Sequence, residues 1–187
     1  MKKSITLVVS IILYTTSTIL GQQKSTYNDF DVILEKVIQY SENEQYFEAA
    51  QELEKVNPND SIYFDVLSTA SYYYLIAEEY DKCIDACNKG INDAIHTPKY
   101  YFYVNKIAAL SKLNKNEAAI TLATEALKLY PKSHTLLFNR AISYEETENL
   151  EKAIQDLKES IQYNPFYEKS HLRLALLCHQ QNQTAQA

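Results

Sequence analysis

The chain has 187 residues, 46% of them apolar and 22% charged, which is enough to bury a sizeable core and excludes extended disorder. With 18 basic against 24 acidic side chains its formal charge is −6, so it lacks the basic stripe with which a protein meets a nucleic acid. Only two glycines occur, which disfavours phosphate-cradling loops, dinucleotide fingerprints and turn-rich β-sandwiches and favours helices with short connections.

Residues 1–21 have the pattern of a signal peptide. Lys2 and Lys3 form a charged start, the mainly apolar stretch Ile5 to Leu13 follows, and Gly21 offers a small residue before Gln22 as a cleavage point. The apolar stretch is short for a bilayer span, and Ser10 and Tyr14 to Thr18 dilute it. We therefore expect export to the periplasm or the medium, with no stable membrane insertion after cleavage. A retained anchor is the alternative, because Ile19 is a poor residue three places before the cleavage point. Loss of Lys2 and Lys3 leaves a mature charge of about −8 by side-chain count. A short linker, 22–29, then leads into one domain, 30–187.

That domain is built from internal repeats. Tyr46-Phe47-Glu48-Ala49-Ala50, Tyr80-Asp81-Lys82-Cys83-Ile84, Asn116-Glu117-Ala118-Ala119-Ile120 and Leu150-Glu151-Lys152-Ala153-Ile154 share a small residue followed by an apolar one. The small residues Ala49, Cys83, Ala119 and Ala153 are 34, 36 and 34 apart. Pro58, Pro98, Pro131 and Pro165 fall in the gaps between these segments, where proline stops or begins a helix.

Within a unit the apolar spacing is helical. Leu137, Ala141 and Tyr144 mark one face, and Leu150, Ala153, Ile154, Leu157 and Ile161 mark another, with the polar stretch Glu145 to Asn149 as the turn between them. Two antiparallel helices per unit follow, with units at 30–63, 64–99, 100–133 and 134–167. A terminal helix, 168–181, continues the pattern with Leu174, Ala175 and Cys178 and covers the fourth unit. Tyr72 to Tyr74 and Tyr100 to Val104 have strand propensity, but their place in the repeat frame predicts helix.

The frame resembles the tetratricopeptide repeat family. In the fourth unit Leu137, Ala141, Tyr144, Leu150, Ala153, Leu157, Ser160 and Pro165 fall at the family's preferred positions 4, 8, 11, 17, 20, 24, 27 and 32. The third unit supplies Tyr103, Ala119, Ala123, Ala126 and Pro131; the second Ser71, Tyr74, Tyr80, Cys83 and Gly90; the first Tyr40, Tyr46, Ala49 and Leu53. Val37 and Ile107 depart from it, standing where the family prefers a small residue, so the first and third helix pairs are expected to pack more loosely. The resemblance implies an all-α, right-handed α-α superhelix of about four helix pairs plus a C-terminal helix.

It also implies a concave groove lined by the first helix of each unit, in which a protein or peptide partner binds. The groove positions of the family correspond here to Ser68, Thr69 and Tyr72, then Tyr101, Val104, Asn105 and Ala108, then Phe138, Asn139 and Ile142, then Lys169 and Arg173. Of these, Tyr72, Tyr101 and Phe138 are the candidate aromatic anchors, the alternative being that they pack between adjacent first helices. Lys169 and Arg173 project from one helical face, and with Asn105 and Asn139 complete the set of candidate partner-binding residues. Lys169, Arg173 and Asn139 are similar to part of the grip with which some family members hold a terminal carboxylate; Val104 and Ala108 replace the rest of it. The competing reading is a solvated basic face.

No cofactor, metal or catalytic residue is expected. No HExxH occurs among His96, His134, His171 and His179, and Cys83, Cys87 and Cys178 read as small core residues rather than as ligands or disulfide partners. The function expected is an exported interaction module and not an enzyme. The alternative is the sensory or scaffold portion of a longer envelope protein, since Ala187 would be position 20 of a fifth unit.

The register itself makes a prediction. If Ala153 sits at a close helix crossing, Ala153→Leu costs roughly 1–3 kcal/mol by overpacking. An unchanged melting midpoint in that variant would argue against the frame.

Overall fold

The computed structural model describes residues 27–93 and 99–184. The leader 1–21, most of the linker, Pro98 and His96 lie outside the described residues. Nine α-helices make up the described regular structure: α1 (Tyr27–Glu42), α2 (Tyr46–Leu53), α3 (Tyr63–Ile76), α4 (Tyr80–Asn92), α5 (Tyr100–Lys112), α6 (Asn116–Leu129), α7 (His134–Glu146), α8 (Leu150–Tyr163) and α9 (Glu168–Thr184). Each helix packs on the next in chain order, and the first helices α3, α5 and α7 also touch in succession. The result is an all-α superhelix of helix pairs closed by α9. Tyr72 to Tyr74 and Tyr100 to Val104 are helical, because stacking neighbours outweigh strand propensity there.

The small residues are where the chain is most tightly closed. Ala49, Cys83, Ala119, Ala123, Ala126 and Ala153 have no exposed surface. At Gly90 on α4 an added Cβ would stand 2.3 Å from Cε2 of Phe102 on α5, a ring that is itself 3% exposed. Ser160 fills the corresponding place in α8, where its hydroxyl donates to the carbonyl of His134 at 2.9 Å or meets the Ser170 hydroxyl on α9 at 2.7 Å. Helix pairs α1/α2 and α5/α6, which carry Val37 and Ile107 in place of a small residue, share less contact than α3/α4 and α7/α8. The brevity of α2 contributes in the first pair.

Core residues run along the stack in three groups, one including Val37, Leu67 and Tyr74, one around Ile107 and Leu136, and one joining Ala141 and Leu157 to Leu177 of α9. Burial of these side chains is the main stabilising term. A bidentate ion pair adds to it: Arg140 on α7 donates to Asp156 on α8 at 2.7 and 2.8 Å and to Thr124 on α6 at 3.1 Å. One group of side chains thus ties three helices from two units.

The turns inside the pairs are shorter than the polar stretches suggest. In the fourth unit α7 runs through Glu146, leaving Thr147 to Asn149 as the turn. Glu44, Glu78, Asn114 and Glu148 have φ of 61, 62, 58 and 58°, the left-handed region where glycine is usual. The following residues Gln45, Glu79, Lys115 and Asn149 donate back to Tyr40, Tyr74, Leu110 and Tyr144 at 2.8–2.9 Å, which satisfies carbonyls that the helix end leaves open. Scarcity of glycine therefore does not mean absence of left-handed turns.

Cys83 and Cys87 are buried free thiols, as core residues should be, but Cys178 is exposed. Ala175 is exposed beside it. Both stand on the α9 face that a second helix covers in the other units, and no such helix exists among the described residues. Instead α9 covers the fourth unit through Ser170, Leu174 and Leu177.

On helix propensity alone Gly90→Ala would stabilise by about 1 kcal/mol. Because of the Phe102 ring we expect the opposite sign, a loss of roughly 1–3 kcal/mol in denaturant unfolding. A second substitution, Phe102→Leu, should recover part of that loss. Stabilisation by Gly90→Ala alone would show that the crossing is open.

Candidate functional site

The first helices α3, α5 and α7 touch in succession along one wall of the superhelix; α1 shares a core cluster with α3, and Arg173 ties α9 to α7. On α3 the residues Asp65, Ser68, Thr69 and Tyr72 recur at three- and four-residue spacing and share a face. Both hydroxyls on that face are turned onto their own helix, with Ser68 donating to the Asp65 carbonyl at 2.8 Å and Thr69 at 3.2 Å. Tyr72 is 40% exposed and Tyr101, in the first turn of α5, is 58% exposed. Burial pushes the Tyr72 phenol up from its ordinary range, so it stays a neutral hydroxyl.

Asn105 does not face the groove. It is 6% exposed, and its amide donates to the Ser71 hydroxyl at 2.9 Å and to the Ser68 carbonyl at 3.5 Å, while its own carbonyl accepts from the Cys83 thiol at 3.7 Å. Asn139, one unit later, donates to the Val104 carbonyl at 3.3 Å. Arg173, one unit later again, donates from Nε to Glu145 at 2.6 Å. All three side chains reach back to the preceding first helix. They staple the wall together through the Asn105 and Asn139 amide nitrogens and the Arg173 Nε.

This placement changes the anion grip anticipated from the spacing of Lys169, Arg173 and Asn139. The Glu145 carboxylate occupies Arg173, and Asn139 is bonded to backbone. Lys169 is exposed and makes no ion pair among the described residues. Phe138 is half-buried, its ring edge-on to Tyr167 with centroids 5.5 Å apart, so it packs between units more than it presents a surface. Of the seven candidate residues, Tyr72, Tyr101 and Lys169 are thus the ones that face solvent. Carrying the same positions into the first unit brings in Asp31 and Glu35, and position 2 of the second unit brings in Asp65. All three are exposed.

Chemistry of other kinds has little to work with. Among the described residues no group of three His, Cys, Asp or Glu side chains could hold a metal ion. Contact with Cys87 and burial raise the Cys83 thiol far above its ordinary range, which leaves it protonated and unreactive. No helix among the described residues is long and apolar enough to cross a membrane.

Comparison with known proteins agrees with this geometry. The Tetratricopeptide repeat family model matches residues 134–167, the fourth unit. Residues 134–167 are thus a tetratricopeptide repeat, and the stack as a whole has the tetratricopeptide fold. Solved tetratricopeptide folds superpose along most of the stack. MamA 41-end from Desulfovibrio magneticus RS-1 matches with a TM-score of 0.66 at 14% identity, over 87% of this chain and 88% of that one. The first TPR domain of human RPAP3 matches with a TM-score of 0.60 at 18% identity, over 66% and 96%. The first TPR of Spaghetti (RPAP3), bound to the HSP90 peptide SRMEEVD, matches with a TM-score of 0.58 at 20% identity, over 66% and 96%. At these identities the likeness is one of fold.

The tetratricopeptide stack separates staple from surface in a measurable way. Asn105→Ala removes a buried amide with its hydrogen bonds to the Ser71 hydroxyl and the Ser68 carbonyl, so unfolding free energy should fall by about 1–2 kcal/mol. Tyr101→Ala, at an exposed position, should stay within about 0.5 kcal/mol of the parent. Equal effects of the two would mean that Asn105 carries no load between α3 and α5.

Proposed function

We propose that the protein is an exported binding module that holds an extended segment of another protein along the wall formed by its first helices. The observation that carries this reading is the exposure of Tyr72 and Tyr101 on adjacent first helices. Large aromatic side chains left open on a concave wall are the usual anchors of a protein interface. Ser68, Thr69 and Asn105 beside them have their hydrogen bonds made within the fold, so this part of the wall is formed before a partner arrives. That a fold of this kind accommodates a peptide is illustrated by the Spaghetti domain with its HSP90 peptide. Partner and sequence preference do not transfer at 20% identity.

Binding is favoured over catalysis because the groove offers aromatic rings, aliphatic side chains and carboxylates without an activated nucleophile. Support for export is the charged-then-apolar start of the sequence followed by Gly21.

A photo-crosslinking amino acid placed at Tyr72 or Tyr101 in cells should give a discrete adduct with the same partner from both positions. Placed at Lys158, exposed on the outer helix α8, it should give none. The adduct should fractionate with exported proteins. Equal labelling from Lys158 would remove the groove reading, and an adduct confined to the cytoplasm would remove export.

A further inference from the structure

The charges on the groove wall are not evenly available. At the end formed by α1 and α3, Asp31, Glu35 and Asp65 are exposed, and none takes part in an ion pair among the described residues. At the other end Arg173 is already neutralised by Glu145 at 2.6 Å, with Glu146 exposed alongside, which leaves Lys169 as the unpaired cation of α9. Lys112, at the C-terminal end of α5, is another exposed cation on a first helix. Lys36, next to Glu35, is turned towards Glu52 on α2 at 3.8 Å.

From this arrangement, and resting on the groove reading above, we infer that the α1–α3–α5 part of the wall takes a peptide segment carrying Lys or Arg beside aromatic or aliphatic side chains. The cation lies against Asp31, Glu35 and Asp65, and the apolar side chains lie on Tyr72 and Tyr101. Asp65 lies three residues before Ser68 and Tyr101 four before Asn105, the pair in contact between α3 and α5. Since two chain reversals leave α3 and α5 running the same way, carboxylate and ring stand within about one residue rise, ~1.5 Å, of level on neighbouring helices. First helices in contact are about 10 Å apart, which an extended peptide covers in about three residues.

The helix dipole accounts for an acid in the first turn of α3. It does not account for Glu35, which lies in the middle of α1. Nor is Asp65 comfortable as it stands: partial desolvation raises its carboxyl above the ordinary range, and no ion pair among the described residues offsets the lost hydration. A ligand cation would supply that charge. An acidic terminal segment meets the reverse situation, because the Arg173 charge is already compensated by Glu145 at one end and three exposed carboxylates stand at the other.

Selection of a randomised nine-residue peptide display library on the full chain tests this directly. Enriched peptides should carry Lys or Arg within a few residues of Phe, Tyr, Leu or Ile. Calorimetry of a synthetic peptide of that kind should show affinity about ten-fold or more lower for the triple variant Asp31→Asn, Glu35→Gln, Asp65→Asn, three modest exposed contacts acting together. The melting midpoint of that variant should be unchanged. Enrichment of acidic or uncharged peptides whose binding is lost in Tyr72→Ala/Tyr101→Ala would overturn the charge assignment and leave the groove reading standing. An absence of enriched peptides, or binders indifferent to both sets of substitutions, would overturn both.

Discussion

Close approach of helix to helix at one recurring place in each unit is the constraint from which the other features follow. Helix axes come near enough for packing only if one side chain at the crossing is nearly absent, and the chain meets this with Ala49, Cys83, Ala119 and Ala153 within pairs. Gly90 and Ser160 do the same between units. Dense packing at a crossing has a second effect: it sets the rotation of each helix, and through that decides which residues of the first helices face the groove. Were the Phe102 ring held a few tenths of an ångström away from α4, α5 would turn and Tyr101 with it. The exposed face of the first helices is in this sense a product of the small residues on the opposite side.

The turns show how little freedom remains once that spacing is imposed. Each pair must reverse within three residues, and the left-handed residue at the centre is Glu in three units and Asn in one. A non-glycine residue in that region is under backbone strain of order 1 kcal/mol. The strain persists because the helices on both sides are held by core contacts such as those of Tyr74 and Leu157, and because the following N–H recovers an otherwise open carbonyl. Local preference gives way to tertiary packing here, as it does in the tyrosine-rich stretches that fold as helix.

What could be read from the sequence divides along the same physical line. Positions at which only one size of side chain fits leave a trace in a single sequence, so the frame of Ala119 and Ala153, with Pro131 and Pro165 at the same offset, was legible and led to the helix pairs. The left-handed glutamates were not, since nothing in Glu148 itself announces positive φ. The groove was half legible. Tyr72 and Tyr101 face outward as the frame implies, whereas Asn105 is buried because its neighbour across the crossing is Ser71, a residue small enough to let the amide in. Whether a polar side chain on such a wall points at a ligand or at the next helix depends on that partner, 34 residues away, and not on its own position. For Cys178 and Ala175 the frame predicts burial, and their exposure follows from the lack of a covering helix among the described residues.

A further consequence concerns how the wall resists deformation. Asn105, Asn139 and Arg173 occupy equivalent places in successive units, and each forms its bond with the first helix before it, at Ser68 and Ser71, at Val104 and at Glu145. Stacked repeats contact only their neighbours, so a superhelix flexes at its unit boundaries unless something crosses them. Side chains that cross on the groove side fix the curvature on the face proposed for binding. Arg140, crossing to Thr124 and Asp156, does so away from that face. A stack tied on both sides has less freedom to change the separation of its exposed rings. The ordering cost is then met on folding, and a partner need supply only the contacts themselves.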